Sequence, residues 1–97
     1  MELAIGIILG CCALGAGICM GIGAVGPGIG EGNAVSKACE AIGRQPESKG
    51  AVTSTMIMGC AISETTGIYS LVISILLIFV APSILVNTLV KAIQALS

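Results

Sequence analysis

The chain has 97 residues, of which 56% are hydrophobic and only 9% are charged, whereas about 25% of residues are charged in soluble proteins. It has one Phe, one Tyr and no Trp, so its composition argues against a water-soluble globule with an aromatic core. The net charge is −1 and the basic residues form neither a stripe nor a patch, which excludes nucleic-acid binding. The apolar surface must therefore meet lipid or other copies of the chain.

Two long uncharged stretches predict two membrane-spanning helices. No charged residue occurs in residues 3–30, 50–63 or 65–90, and about 20 apolar residues suffice to cross the hydrocarbon core of a bilayer. The first stretch is not typical of a signal peptide, because its apolar run is too long and Glu2 stands where a basic residue would be expected.

A polar segment at residues 37–49 predicts the connection between these helices. Its centre, Arg44-Gln45-Pro46-Glu47-Ser48, carries the proline and the charges of a tight turn. We predict an all-α membrane protein folded as a two-helix transmembrane hairpin, with helix 1 over about residues 3–43, a loop over about 44–48 and helix 2 over about 49–96. Most basic residues lie in or beside the loop, so the positive-inside rule predicts a cytoplasmic loop with both termini outside.

Helix 1 is rich in glycine. The glycines of its central part are Gly15, Gly17, Gly21, Gly23, Gly26, Gly28, Gly30 and Gly32. Several are four residues apart and therefore stack on one face, and small residues let membrane helices approach closely. The pattern is typical of an inner ring of crowded helices. Residues 21–26 also match the GxGxxG fingerprint, but a dinucleotide site needs a βαβ unit, which this sequence does not predict.

Two prolines and five cysteines complete the pattern along the chain. Pro27 and Pro82 lie inside helical stretches, where each removes a backbone hydrogen bond and can bend the helix. The cysteines have no CxxC spacing and the chain has no His, so neither a disulfide framework nor a zinc site is predicted. We interpret them as small buried hydrophobic residues; they are Cys11, Cys12, Cys19, Cys39 and Cys60.

Two carboxylates are expected at one depth in the membrane. Glu31 and Glu64 are equidistant from the predicted turn, each about 16 residues or about 25 Å away at 1.5 Å per residue. An ionised carboxylate at the bilayer centre costs about 2.5–3.5 kcal/mol, which makes it a candidate functional group. The alternative, that both side chains reach an interface, is disfavoured because Glu is short and the nearest lysines lie several turns away. A cation or shared protons must neutralise the pair.

The residues around Glu64 are rich in oxygen and contain no side-chain nitrogen. Three hydroxyls, of Ser63, Thr65 and Thr66, and the phenol of Tyr69 lie within two helical turns of this carboxylate. Oxygen ligands suit hard cations, so these groups could hold an alkali ion or a proton. The alternative is that the Ser and Thr hydroxyls only bond back to their own helix.

The glycine-rich first helix, the Arg44-Gln45-Pro46 loop and Glu64 in the second helix together resemble the c subunit of F-type ATP synthase over nearly the whole chain. The resemblance implies a homo-oligomeric ring of identical hairpins, with first helices inside and second helices outside. It implies that this ring turns in membrane lipid against the stator a subunit. The loops would contact the gamma and epsilon subunits of the central stalk through Arg44, Gln45 and Pro46, and the chain alone would not be an enzyme.

The segment beginning at Glu64 resembles the sodium-translocating branch of this family. It reads Glu64-Thr65-Thr66-Gly67-Ile68-Tyr69. By this resemblance Glu64 is the ion-carrying carboxylate and Na+ is bound between protomers. Glu31 and Glu64 would come from one protomer. The Ile62 carbonyl and the Thr65 hydroxyl would come from its neighbour.

The same resemblance implies that Tyr69 orients Glu64 and that Thr66 can hold a coordinating water. This chain departs from many sodium rings, which have Gln where it has Glu31. Sodium alone would leave two carboxylates with a net charge of −1. Because nearby carboxylates repel, we expect Glu31 to stay protonated and to donate to Glu64, while sodium neutralises Glu64. Ser63 stands where Ala is common in relatives, and its role stays open.

We consider two alternatives to the sodium rotor. The same rotor could carry protons, with the hydroxyls merely hydrogen-bonding a protonated Glu64. A small multidrug-type exporter or another structural hairpin could bind a cationic substrate with carboxylates in the membrane. Such transporters need aromatic cages, and only 2% of this chain is aromatic.

Overall fold

A computed structural model describes all residues, 1–97, and is helical almost throughout. Its elements are α1 (Glu2–Gly23), α2 (Val25–Arg44), a 3-10 turn (Pro46–Ser48), α3 (Lys49–Ile75), a π-helical turn (Leu76–Val80) and α4 (Ala81–Leu96). The stretches Glu2–Arg44 and Pro46–Leu96 are each long and apolar enough to cross a membrane, with mean hydropathies of 2.4 and 2.5 in their most apolar windows. The predicted all-helical hairpin is confirmed.

The first helical stretch is interrupted at Ala24, three residues before Pro27. Pro27 has no N–H and its ring crowds the carbonyl four residues earlier, that of Gly23. The helix resumes at once, because the Gly28 N–H donates to the Ala24 carbonyl at 3.0 Å. The interruption between α1 and α2 therefore lies just before Pro27, where the sequence predicts a lost backbone hydrogen bond.

The second stretch changes its hydrogen bonding just before Pro82. Residues Leu76–Val80 form a π-helical turn, and the Ala81 N–H donates to the Leu76 carbonyl five residues earlier. Pro82 lies in the first turn of α4 and cannot supply the bond that a continuous α-helix requires there. A π-turn is one of the known ways in which a helix accommodates such a disruption.

The connection between the two stretches is short. The Gln45 N–H donates to the Ala41 carbonyl at 2.9 Å and ends α2. Pro46 opens the 3-10 turn, where its fixed φ and missing N–H cost nothing. The Ser48 N–H and hydroxyl both donate to the Gln45 carbonyl, at 2.9 and 2.7 Å. Arg44, assigned to the loop from the sequence, is the last residue of α2.

The chain divides into two units, one of residues 1–21 and 70–97 and the other of residues 22–69. Neither unit has a large core, because each helical segment packs on one face only. The most buried side chains are small: Cys12, Ala16, Ala38 and Ser74. The expectation of buried cysteines is wrong for Cys11 and Cys39, which are exposed, since each lies on a face that no other segment of the chain covers.

In the unit of residues 1–21 and 70–97, the two segments run antiparallel along a seam of small residues. The buried Ser74 hydroxyl donates to the Ala16 carbonyl at 3.0 Å. One turn further along, the Cys19 thiol donates to the Ser70 carbonyl at 3.5 Å. Small side chains and such interhelical bonds are what hold helices together in lipid, where apolar burial drives little association.

Most glycines of the first stretch face open space rather than the second stretch. A Cβ added at Gly15 would contact Leu77, and one at Gly30 would contact Ser63. Eight others have nothing within 4 Å of such a Cβ: Gly6, Gly10, Gly17, Gly21, Gly26, Gly28, Gly32 and Gly43. These positions are therefore open to the close approach of another helix.

We predict that Ser74→Ala lowers the free energy of unfolding by about 0.6 kcal/mol, the typical contribution of an interhelical hydrogen bond in a membrane protein. The loss stays small because the Ala16 carbonyl keeps its helical partner. Titration of the detergent-solubilised protein with SDS, followed by circular dichroism, measures it. Ser54→Ala, on an exposed part of α3, is the control, and an equal effect of the two substitutions would contradict the prediction.

Candidate ion-binding site

The candidate site lies in the unit of residues 22–69, where α2 and α3 approach closely. A Cβ added at Gly30 would lie 3.7 Å from the Ser63 Oγ, and one added at Gly67 would lie 3.7 Å from the Pro27 Cγ. Positions rise along α2 as their partners fall along α3, so the two helices are antiparallel here. Gly67 and Pro27 are both buried.

Glu31 and Glu64 meet between these helices. Their side chains are within hydrogen-bonding reach of one another, which agrees with the equal depth expected from the sequence. The Glu31 Oε1 is buried and has no hydrogen-bond donor. Two ionised carboxylates offer only acceptors to each other, so the pair requires a proton or a cation.

The Glu64 side chain folds along its own helix toward Gly67. A Cβ added at Gly67 would lie only 2.9 Å from the Glu64 Oε1. Positions three apart on a helix are neighbours, so this contact follows from the spacing once the rotamer is known. The sequence analysis did not single out Gly67. The feature that could have indicated this contact is a glycine three residues after a carboxylate in a membrane helix.

The remaining candidate ligands lie on a different face of α3. Ile62, Thr65 and Tyr69 follow one another at intervals of three and four residues and therefore share one face. The Thr65 Oγ1 donates to the Ile62 carbonyl at 2.7 Å, and both residues are exposed together with Tyr69. Thr66 is exposed as well. Glu64 is also exposed, and the Thr65 hydroxyl donates to the Ile62 carbonyl rather than to either carboxylate.

Ser63 belongs to the face of α3 that meets α2. It precedes Gly67 by four residues, is half-buried, and has its hydroxyl against Gly30. Ser63 therefore faces α2. The structure gives its hydroxyl no ligand role.

The proposed stalk-contacting loop is exposed at the end of α2. Arg44 pairs with Glu40 at 2.7 Å, and Lys37 approaches the same carboxylate at 3.4 Å. Gln45 and Pro46 are also exposed. Exposed pairs of this kind contribute about 0.2–1 kcal/mol, so they orient Arg44 more than they stabilise the fold.

The comparisons with known proteins agree on one family. The family model for the c subunit of ATP synthase matches residues 14–77. The ATP synthase c subunit of Petrotoga mobilis is 54% identical over 69 residues, which cover 71% of this chain and 72% of the relative. The protein of the same name from Thermotoga petrophila is 53% identical over 79 residues, covering 81% of this chain and 93% of the relative. That of Alkaliphilus oremlandii is 54% identical over 78 residues, covering 80% and 88%.

We predict that Gly30→Cys combined with Ser63→Cys, in a variant without the five native cysteines, forms an intramolecular disulfide on mild oxidation. The Gly30 Cβ position lies 3.7 Å from the Ser63 Oγ, the atom that the cysteine sulfur at position 63 replaces, so the two side chains are neighbours and small adjustments bring them to disulfide geometry. Mass spectrometry after alkylation counts the protected thiols. Gly32→Cys with Ser63→Cys is the control, since a Cβ at Gly32 has nothing within 4 Å. Similar yields for both pairs would contradict the geometry.

Proposed function

The chain belongs to the family of ATP synthase c subunits, and from that premise we propose that its rotor carries Na+. It is a membrane protein and a non-catalytic rotor component of the F0 sector. We assign the transported ion to a site formed by Glu31, Glu64, the Ile62 carbonyl and the Thr65 hydroxyl. The observation that carries this proposal is that the Thr65 hydroxyl and the Ile62 carbonyl, 2.7 Å apart, lie within one helical turn of Glu64, since hard cations prefer oxygen ligands.

Two adjacent copies complete the site. Glu64, Ile62 and Thr65 are all exposed, but the Glu64 carboxyl lies along α3 toward Gly67, which packs against Pro27 of α2, whereas Ile62 and Thr65 lie on another face of the same helix. One helix cannot bring two such faces to a single ion. Each copy therefore supplies its carboxylates to one site and its Ile62 carbonyl and Thr65 hydroxyl to the next, and ring closure makes every site equivalent.

The geometry of the outer face suits a cation. In donating its proton to the Ile62 carbonyl at 2.7 Å, the Thr65 hydroxyl keeps its own lone pairs available to an ion. The hydroxyl and the carbonyl oxygen are thereby held close together. Tyr69 lies on the same exposed face, so Tyr69 of the adjacent protomer is suited to orient Glu64. Thr66 supports a coordinating water.

Charge balance assigns a proton to Glu31. Two carboxylates and one sodium ion carry a net charge of −1, which the membrane interior disfavours. The Glu31 Oε1 is buried without a donor, and a proton shared between Glu31 and Glu64 gives the pair its missing hydrogen bond. The loaded site is then neutral, with Glu31 protonated and sodium on Glu64.

Rotation follows from this neutrality. A loaded site can face lipid, whereas an emptied Glu64 is tolerated only beside a cation of the stator a subunit and its water-filled half-channels. Each monovalent ion gains about 2.3 kcal/mol per 100 mV on crossing, so several sites must act together to drive one synthesis step in the catalytic sector. Loading and unloading thereby turn the ring.

The loop transmits this rotation. We propose that Arg44, Gln45 and Pro46 contact the gamma and epsilon subunits of the central stalk. All three are exposed, and the pair with Glu40 at 2.7 Å holds the Arg44 guanidinium at the end of α2. With basic residues concentrated there, the loop faces the cytoplasm and both termini lie outside.

A proton rotor is the second candidate. The mutual contact of Glu31 and Glu64 favours it, because two carboxyls can share a proton without any metal ion. In this case the hydroxyl of Thr65 serves only its own helix, as Thr hydroxyls commonly do.

We predict that sodium at millimolar concentration slows carbodiimide labelling of Glu64 in the detergent-purified ring at fixed pH. The reagent attacks a protonated, accessible carboxyl, and bound sodium displaces the proton from Glu64. Glu31→Gln keeps this protection, since the amide donates to Glu64 in place of the proposed proton. Labelling that ignores sodium and follows pH alone would favour the proton rotor.

We also predict that Thr65→Ala raises the sodium concentration for half-protection of Glu64 by about 10-fold, the scale on which metal sites respond to loss of a supporting group. Thr55→Ala, on an exposed part of the same helix, is the matched control. Sodium-dependent ATP synthesis in reconstituted vesicles should fall in parallel with Thr65→Ala alone. Full retention of coupled synthesis in Thr65→Ala would instead identify a proton rotor.

A further inference from the structure

Gly67 has no side chain, and the Glu64 carboxyl fills the space beside it. A Cβ added there would lie 2.9 Å from the Glu64 Oε1 and 3.6 Å from the Glu64 Cδ. Non-bonded heavy atoms have their optimal contacts at about 3.5–4.0 Å. The Glu64 carboxyl therefore uses the space that any side chain at position 67 would fill.

The opposite helix does not impose the same restriction. The Pro27 Cγ lies 3.7 Å from the added Cβ, which is an ordinary contact distance. A methyl group at Gly67 can consequently be accommodated between α2 and α3. The group that must move is the Glu64 carboxyl, which is the end of a flexible side chain.

This movement has a consequence for the ion site. The Glu64 carboxyl meets Glu31 while it lies against Gly67. We propose that Gly67 is a positioning residue, whose missing side chain lets the Glu64 carboxyl lie against α3 beside Glu31 and so sets the affinity of the site for its ion. The proposal rests on the proposed function in one respect, that Glu64 carries the ion.

A general loss of stability would not produce this effect. Gly in a helix interior is less favourable than Ala, so Gly67→Ala favours the helix. The positions Gly59 and Gly67 are both in α3, and a Cβ at Gly59 would meet nothing within 4 Å. Gly59→Ala is therefore a matched control for the change in helix propensity.

The experiment uses the assembled ring and two readouts at one fixed pH. The first is the initial rate of carbodiimide labelling of Glu64 without sodium, and the second is the sodium concentration for half-protection. Gly67→Ala should label faster, because the displaced carboxyl is more accessible, and should need about 10-fold more sodium for half-protection. Gly59→Ala should match the parent ring in both readouts.

A double-substitution cycle separates positioning from packing. The carboxyl in Glu64→Asp is one methylene shorter and does not reach position 67, so adding Gly67→Ala to Glu64→Asp should change the half-protection concentration much less than it does in the parent ring. Equal fold-changes in the two backgrounds would overturn the proposal, because Gly67 would then act through helix packing.

The two hypotheses fail in different ways. A parent ring whose labelling ignores sodium overturns the sodium rotor, while faster labelling of Gly67→Ala than of Gly59→Ala still supports the positioning role. A parent ring protected by sodium, with Gly67→Ala equal to Gly59→Ala in both readouts, overturns the positioning role and leaves the sodium rotor standing.

Discussion

The contact between Glu31 and Glu64 is the constraint on which the rest of this molecule depends. An ionised carboxylate at the bilayer centre costs about 2.5–3.5 kcal/mol, and the two helices bring a pair of them together. The buried Glu31 Oε1 has no donor, so the fold by itself leaves the pair incomplete. Whatever supplies the missing positive charge, a proton or a metal ion, becomes part of the structure while it is bound.

The arrangement of α3 explains why one chain is not enough. Gly67 packs against α2 with the Glu64 carboxyl beside it, while Ile62 and Thr65 lie on another face, and all three of Glu64, Ile62 and Thr65 are exposed. The glycines of the first stretch repeat the theme, since most have open space where a Cβ would be. Polar oxygens and close-packing surfaces are thus both directed away from the chain. In the proposed ring, a second copy satisfies both requirements at once.

Much of this could be predicted from the sequence. In a hairpin whose two helices have the same rise per residue, residues equally far from the turn lie at the same depth in the membrane. That rule placed Glu31 opposite Glu64, and the chemistry of Pro27 and Pro82 located the helix interruptions. The contact at Gly67 could not be predicted, since it depends on the rotamer of Glu64. The exposure of Cys11 was missed as well, because composition does not tell which face of a helix a single chain covers.

The free-energy cost of an ionised carboxylate in lipid explains why such a rotor would not turn without carrying ions. An ionised carboxylate at the bilayer centre costs about 2.5–3.5 kcal/mol. Rotation moves an emptied Glu64 within the plane of the membrane, so the transmembrane potential, which acts on charge that crosses the membrane, does not offset this cost. In the proposed mechanism the ring therefore advances through lipid only with its sites loaded. We propose that Gly67→Ala displaces the Glu64 carboxyl and weakens ion binding. This substitution would raise the fraction of emptied sites at the lipid boundary. Tight placement of one carboxyl then determines both how well the ion binds and how strictly its passage is coupled to rotation.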